Sequence, residues 1–167
     1  MPVRPIVRFP DPRLRAVATA VSSFDAALAA LAADLLDTMR EAPGIGITAP
    51  HIGVAQRVVV LDLPEAGVSY YVNPEVIAAS GDVQRHPEGS VSMPGVVEDV
   101  ERPAWVSVRY QDLTGAPQEI TAEGLLSVCL QHEIDQLDGI FWTQRLSRLK
   151  RDRVVKKYQK IQSGVRA

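Results

Sequence analysis

Residues 131–136 read Gln-His-Glu-Ile-Asp-Gln, with a histidine and a carboxylate side by side and a glutamine one helical turn further on. A metallohydrolase would read H-E-x-x-H here. Two imidazoles one turn apart would hold a divalent ion, and the glutamate between them would move protons. His132 and Glu133 fit that pattern, and Gln136 stands where the second imidazole belongs. Two other short stretches carry groups able to do chemistry: residues 44–51 (GIGITAPH), ending in His51, and residues 88–92 (EGSVS), with Glu88 and Ser90. Cys129, the only cysteine, lies three positions before His132, so no internal disulfide is possible.

These residues need elements to bring them together. The helical pattern from Glu123 to about Leu137, stopped by Asp138-Gly139, predicts a helix carrying His132 and Glu133. Leu125, Val128 and Cys129 precede His132 by seven, four and three positions and share its face, so with Ile45 they could line an apolar slot. Upstream, Ser22 or Ser23 is the expected N-cap of a helix reaching about Arg40, with Asp25 in its first turn and Leu28, Leu31, Leu35, Leu36 and Met39 as its stripe. Residues 57–63 (RVVVLDL) read as a strand, and residues 70–77 as another interrupted by Pro74. Residues 104–112 turn through Leu113-Thr114-Gly115-Ala116 into residues 118–121 as a hairpin. Residues 1–15, rich in Pro and Arg, read as an irregular arm, and Ser147 starts a last helix reaching about Gln162. Strands in the middle and helices at both ends predict an α+β fold in a single domain spanning residues 1–167.

Composition narrows the class. Hydrophobic residues are 46% and charged residues 23%, as in a globular protein. No run approaches the length that spans a membrane, and residues 1–5 lack the apolar core of a signal peptide, so the expected location is cytoplasmic. Net charge is −2, but residues 1–144 hold nine Arg, no Lys and nineteen acids, whereas residues 145–167 hold nine basic residues and one acid. The body is acidic and the tail basic. In residues 147–162 (SRLKRDRVVKKYQKIQ), Leu149, Val154, Val155, Tyr158 and Ile161 form an apolar stripe. That pattern suits a packed amphipathic helix with a solvated basic face. Its charge would also attract nucleic acid such as ribosomal RNA, or an acidic protein partner. No base-reading motif or stacking aromatics accompany it, which argues against sequence-specific nucleic-acid binding.

Three stretches, in order and spacing, resemble the motifs of the peptide deformylases, which remove the formyl group from N-formylmethionine on new proteins. The family forms are G-x-G-x-A-A-P-Q, E-G-C-x-S and Q-H-E-x-D-H, set against GIGITAPH, EGSVS and QHEIDQ here. The resemblance runs from about residue 5 to residue 147. It implies mixed or antiparallel sheets around a central helix bearing the H-E-x-x-Q segment, with a C-terminal helix. It also implies one divalent metal (iron, with zinc or nickel as substitutes) held at positions that are here Ser90, His132 and Gln136. Glu133 falls on the family's proton shuttle, and His51 and the Val91 N–H fall on its oxyanion donors. Gly44, Ile45, Gly46, Glu88, Gly89, Leu125, Val128 and Cys129 would surround the methionine side chain. Gly44 and Gly46 are expected to serve backbone conformations that favour glycine.

The departures bear on the chemistry. A serine hydroxyl stays protonated near neutral pH and is a poor ligand for a transition metal, and an amide oxygen suits calcium or magnesium better than iron or zinc. Water bound to a catalytic zinc has a pKa near 7 against about 15.7 when free, a gap worth about 12 kcal/mol that one carboxylate does not make up. The expectation is therefore a deformylase-like protein with weak or no hydrolysis, holding no metal tightly, whose pocket binds a formyl-Met or Met peptide. A remodelled metal site recruiting His51 would instead make a working deformylase or N-acyl amidase. A non-catalytic binding or regulatory protein is the third possibility. A metal-free triad of Ser90, a histidine and Glu133 would need these groups to face one another.

Overall fold

The computed structural model describes residues 3–164; Met1 and Pro2 of the predicted arm, and residues 165–167 at the end of the predicted domain, lie outside the described residues. In chain order the elements are α1 (Ala26–Glu41), β1 (Gly46–Thr48), β2 (Val58–Leu63), β3 (Gly67–Ala79), β4 (Val83–Ser90), β5 (Met93–Pro103), β6 (Trp105–Gln111), β7 (Pro117–Glu123), α2 (Gly124–Leu137) and α3 (Arg148–Gln162). Five strands form one sheet in the order β1-β2-β3-β6-β7, and β4 and β5 form a separate hairpin. Every pairing between these strands is antiparallel; among the described residues the one parallel contact is an isolated bridge between Thr19 and Gln56. The fold is α+β, as its sequence pattern predicts.

The apolar run of β2 has two faces to bury. Val58 and Val60 pack with Leu28, Leu31, Leu35 and Met39 of α1, while Val59, Leu61 and Leu63 pack with Cys129, Leu130, Ile134 and Leu137 of α2. Side chains alternate across a strand, so a helix on each side demands apolar residues at successive positions. α2 is thereby enclosed: every residue from Ser127 to Leu137 is buried, including five with polar side chains between Gln131 and Gln136. It ends where Gly139 (φ 78°) turns left-handed, with Ile140 N–H donating to the Asp135 carbonyl and Gly139 N–H to that of Gln136.

Three expectations change. The N-cap of α1 is Asp25, whose carboxylate accepts from Leu28 N–H at 3.1 Å, in place of Ser22 or Ser23. β3 runs through Pro74, because a bulge between Val72 and Glu75 takes up the missing N–H and Asn73 adopts φ 51°. The Asn73 amide bonds both the N–H and carbonyl of Val21 and fixes that bulge to the chain before α1. The β4–β5 hairpin falls in a stretch for which the sequence predicts no strand. Phe141, Trp142, Val154 and Tyr158 cover its inner residues Met93, Val96 and Val100. No helix among the described residues is long and apolar enough to cross a membrane.

A Cβ at residue 139 would lie 2.5 Å from the Arg15 carbonyl oxygen, in addition to the strain of φ 78°. Gly139→Ala is therefore expected to destabilise by about 2 kcal/mol or more, whereas Asp25→Ala loses only a cap, about 1 kcal/mol. Urea denaturation of the two variants checks the order.

Candidate active site

Four parts of the chain enclose one cavity of about 370 Å³: the loop into β1, the turn Ala49–Ile52, the β4–β5 hairpin and α2. Gly44, Ile45, Gly46, His51, Glu88, Gly89, Ser90, Val91, Leu125, Val128, Cys129, His132 and Glu133 all line it. Gln136 does not. Its side chain is buried on the same helix, and its Nε2 donates to the Leu14 carbonyl at 2.7 Å. His86, Met93 and the 94–97 strip of β5 complete the wall. Sequence reasoning missed these because Pro87, Pro94 and Gly95 hid the hairpin that presents them.

His132 is held from behind. Its Nδ1 lies 2.8 Å from Glu88 Oε1, and Arg102 donates to both oxygens of Glu88 at 2.6 and 2.9 Å. Arg102 also donates to Asp135 at 2.8 Å, and Asp135 takes two more bonds from Arg145. Burial pushes the Glu88 carboxyl up, but bonding to His132 and Arg102 outweighs it and holds the pKa at about 2. Glu88 is thus an anchor for His132 as well as a wall of the cavity, a role its sequence position did not reveal.

Glu133 lies against the backbone of β1. A Cβ at Gly46 would stand 2.6 Å from Glu133 Oε2. Neither Gly44 nor Gly46 has positive φ, so at Gly46 close approach, not backbone conformation, excludes a side chain. Glu133 Oε1 is buried without a hydrogen-bond partner among the described residues, and burial, opposed by the charge of His132, raises the pKa of Glu133. His51 Nδ1 lies 2.9 Å from both the backbone N and the hydroxyl of Thr48, and 4.0 Å from Glu133 Oε1. Burial and the charge of His132 push the His51 pKa down to about 3, so it is neutral.

Ser90 is occupied elsewhere. Its hydroxyl accepts from the Ser92 N–H at 3.1 Å and bonds neither histidine nor Glu133, so the triad arrangement is not formed. Val91, at the hairpin tip, gives its carbonyl to Arg8. Burial and the charges of Glu133 and Glu88 push the Cys129 thiol up to about 12, which keeps it protonated. Val128 and Cys129 are buried, while Ile45 is exposed at the rim.

Comparison with known proteins decides the family. The polypeptide deformylase family model matches residues 3–152. The chain belongs to the peptide deformylase family. A curated relative named "Peptide deformylase-like" from Brucella suis biovar 1 is 63% identical over 97% of this chain and 99% of its own length. One named "Peptide deformylase" from Methylocella silvestris is 47% identical over 96% of this chain and 85% of its own. The crystal structure of a peptide deformylase from Legionella pneumophila superposes with a TM-score of 0.91 at 39% identity, covering 99% of this chain and 100% of that one.

Within this deformylase fold the Glu88–Arg102–Asp135 chain should dominate local stability. Arg102→Met leaves two buried carboxylates without their common partner and is expected to destabilise by about 3–5 kcal/mol in urea at pH 7. The Glu88 carboxyl sits at about 2 against an ordinary 4.5. The stability it carries, about 3 kcal/mol, is present above pH 4.5 and is lost as pH falls toward 2. Urea midpoints measured between pH 6 and 2.5 should therefore fall less steeply in Glu88→Gln than in the unaltered protein.

Proposed function

We propose that the protein uses its deformylase cavity to bind the methionyl end of a formylated or unformylated peptide, with weak or no hydrolysis. The observation that carries the reading is the donor set at the family's metal position. Of Ser90, His132 and Gln136, only His132 offers a transition-metal ligand facing the cavity. The Ser90 hydroxyl is engaged by Ser92 and the Gln136 amide by Leu14. Among the described residues no three His, Cys, Asp or Glu side chains are grouped so as to hold a metal ion. The residues do not fit the family's metal. The apolar wall of Leu125, Val128 and Cys129 is retained and suits a methionine side chain.

A partner surface belongs to the same proposal. On α3, Arg148, Arg153, Lys156, Lys157 and Lys160 are exposed, and among the described residues only Lys150 and Arg153 of this helix reach an acid, Glu98, at 4.0 Å. That face would bring the cavity to an acidic partner, such as ribosomal RNA, with an affinity that falls as salt rises.

Protein purified anaerobically without a His tag is expected to carry metal only at trace level by mass spectrometry. An N-formylmethionyl peptide at about 100 times its Kd should stabilise it by about 2.7 kcal/mol without release of formate. Near-stoichiometric iron, zinc or nickel, with formate release abolished by Glu133→Gln, would sink the proposal. Adding Ser90→Cys and Gln136→His, with His51→Gln, is expected to restore both metal and formate release.

A further inference from the structure

β3 has a partner on both edges only near its middle. β2 pairs with Gly67–Val72 and stops there, while β6 pairs with residues 72–79 on the other edge. From Glu75 to Ala79 the edge that β2 leaves meets no strand, and no other backbone group among the described residues bonds to it. Such edges are ordinarily blunted by charge, by proline or by a covering element. Pro74 stands just before this one, but Val76, Ile77, Ala78 and Ala79 follow as an uncharged run, with Val76 42% and Ile77 39% exposed. The edge also borders a groove of about 810 Å³, to which Glu75, Val76 and Ala79 contribute from β3, Pro103 from the end of β5, and Gln131 and Ile134 from α2. This groove shares no lining residue with the cavity described above: Arg102 and Asp135 face the groove, whereas Glu88 faces the cavity.

The charge around the groove selects its occupant. Its three arginines are engaged: Arg57 by Asp138, Arg102 by Glu88 and Asp135, and Arg145 by Asp135. Glu75 and Glu101 are met only by exposed arginines, at 3.4 and 3.3 Å, and pairs of that kind contribute little. The groove therefore offers negative charge, in keeping with nineteen acids against nine arginines over residues 1–144. A second copy would bring the same acids around its own β3 edge, so like charge opposes pairing of two copies. We infer that the edge of β3 at Glu75–Ala79 receives an extended segment of a basic partner protein, which continues the line of β2 along β3 and lies in the groove. Main-chain bonds to the edge supply the affinity, and Glu75 and Glu101 supply the preference for lysine and arginine.

Amide hydrogen exchange of the full-length protein tests this with a synthetic, end-capped peptide of alternating lysine and valine. The peptide is expected to slow exchange at residues 75–79 by about tenfold or more. Two twins serve as controls, one with glutamate for lysine and one with methyl groups on alternate backbone nitrogens, which removes the N–H groups that strand pairing needs. Each is expected to bind about tenfold or more weakly than the lysine peptide. Glu75→Lys with Glu101→Lys, both at exposed positions, should reverse the preference so that the glutamate peptide binds the more tightly. The inference is overturned if the lysine peptide leaves exchange at residues 75–79 unchanged, or if the methylated twin protects them equally. It is overturned as well if the charge reversal leaves the preference as it was. Protection that appears without peptide as the protein concentration is raised assigns the edge to a second copy instead, and this too overturns it.

Discussion

The guanidinium of Arg102 reaches from β5 to Glu88 on β4 and to Asp135 on α2, and it is only 4% exposed. Taking a charge this far out of water is tolerable only while each partner stays in place. The hairpin therefore cannot slide along α2 without stranding at least one buried charge. Glu88 passes the constraint on, since the oxygen bonded to Arg102 Nη2 also meets His132 Nδ1. One ion chain thus sets the hairpin, the helix and the orientation of the central histidine together.

None of the residues that depart from the family's metal ligands belongs to that chain. Ser90 lies two residues beyond Glu88 on the hairpin and Gln136 one residue beyond Asp135 on α2, yet each bonds to a different neighbour. Each departure leaves its polar atom satisfied locally, so it adds no buried orphan to the fold. The cavity walls and the groups at these two positions are in this sense separable. Substitution at the ligands changes what the pocket can hold, while the Arg102 network continues to hold the pocket open.

The sequence revealed the parts whose signal is periodic. The apolar run of β2 and the helical pattern of α2 both appear within a residue or two of their expected ends, because burial on two faces and on all sides leaves a direct mark on composition. The β4–β5 hairpin left no such mark. Pro87, Pro94, Gly89 and Gly95 break the pattern, and its order comes from distant partners, Trp142 and Tyr158, more than from local preference. Short motifs brought together the residues that line the cavity, but not the direction each polar group faces. Nothing in the string GIGITAPH says that His51 accepts from Thr48, and nothing in QHEIDQ says that Gln136 turns to Leu14. Those facts depend on backbone groups brought close only by the fold.

The carboxyl groups that line the cavity are set by burial and by one another's charge. Burial raises the pKa of Glu133, so the group resists ionising. Burial alone would lower His132, but the charges of Glu133 and Glu88 and the bond to Glu88 overcome it and raise its pKa as well. His51 goes the other way: burial and the charge of His132 hold it neutral, so it adds a hydrogen-bond donor without adding charge. Burial and neighbouring charge thus push His51 and His132, which line one cavity, in opposite directions.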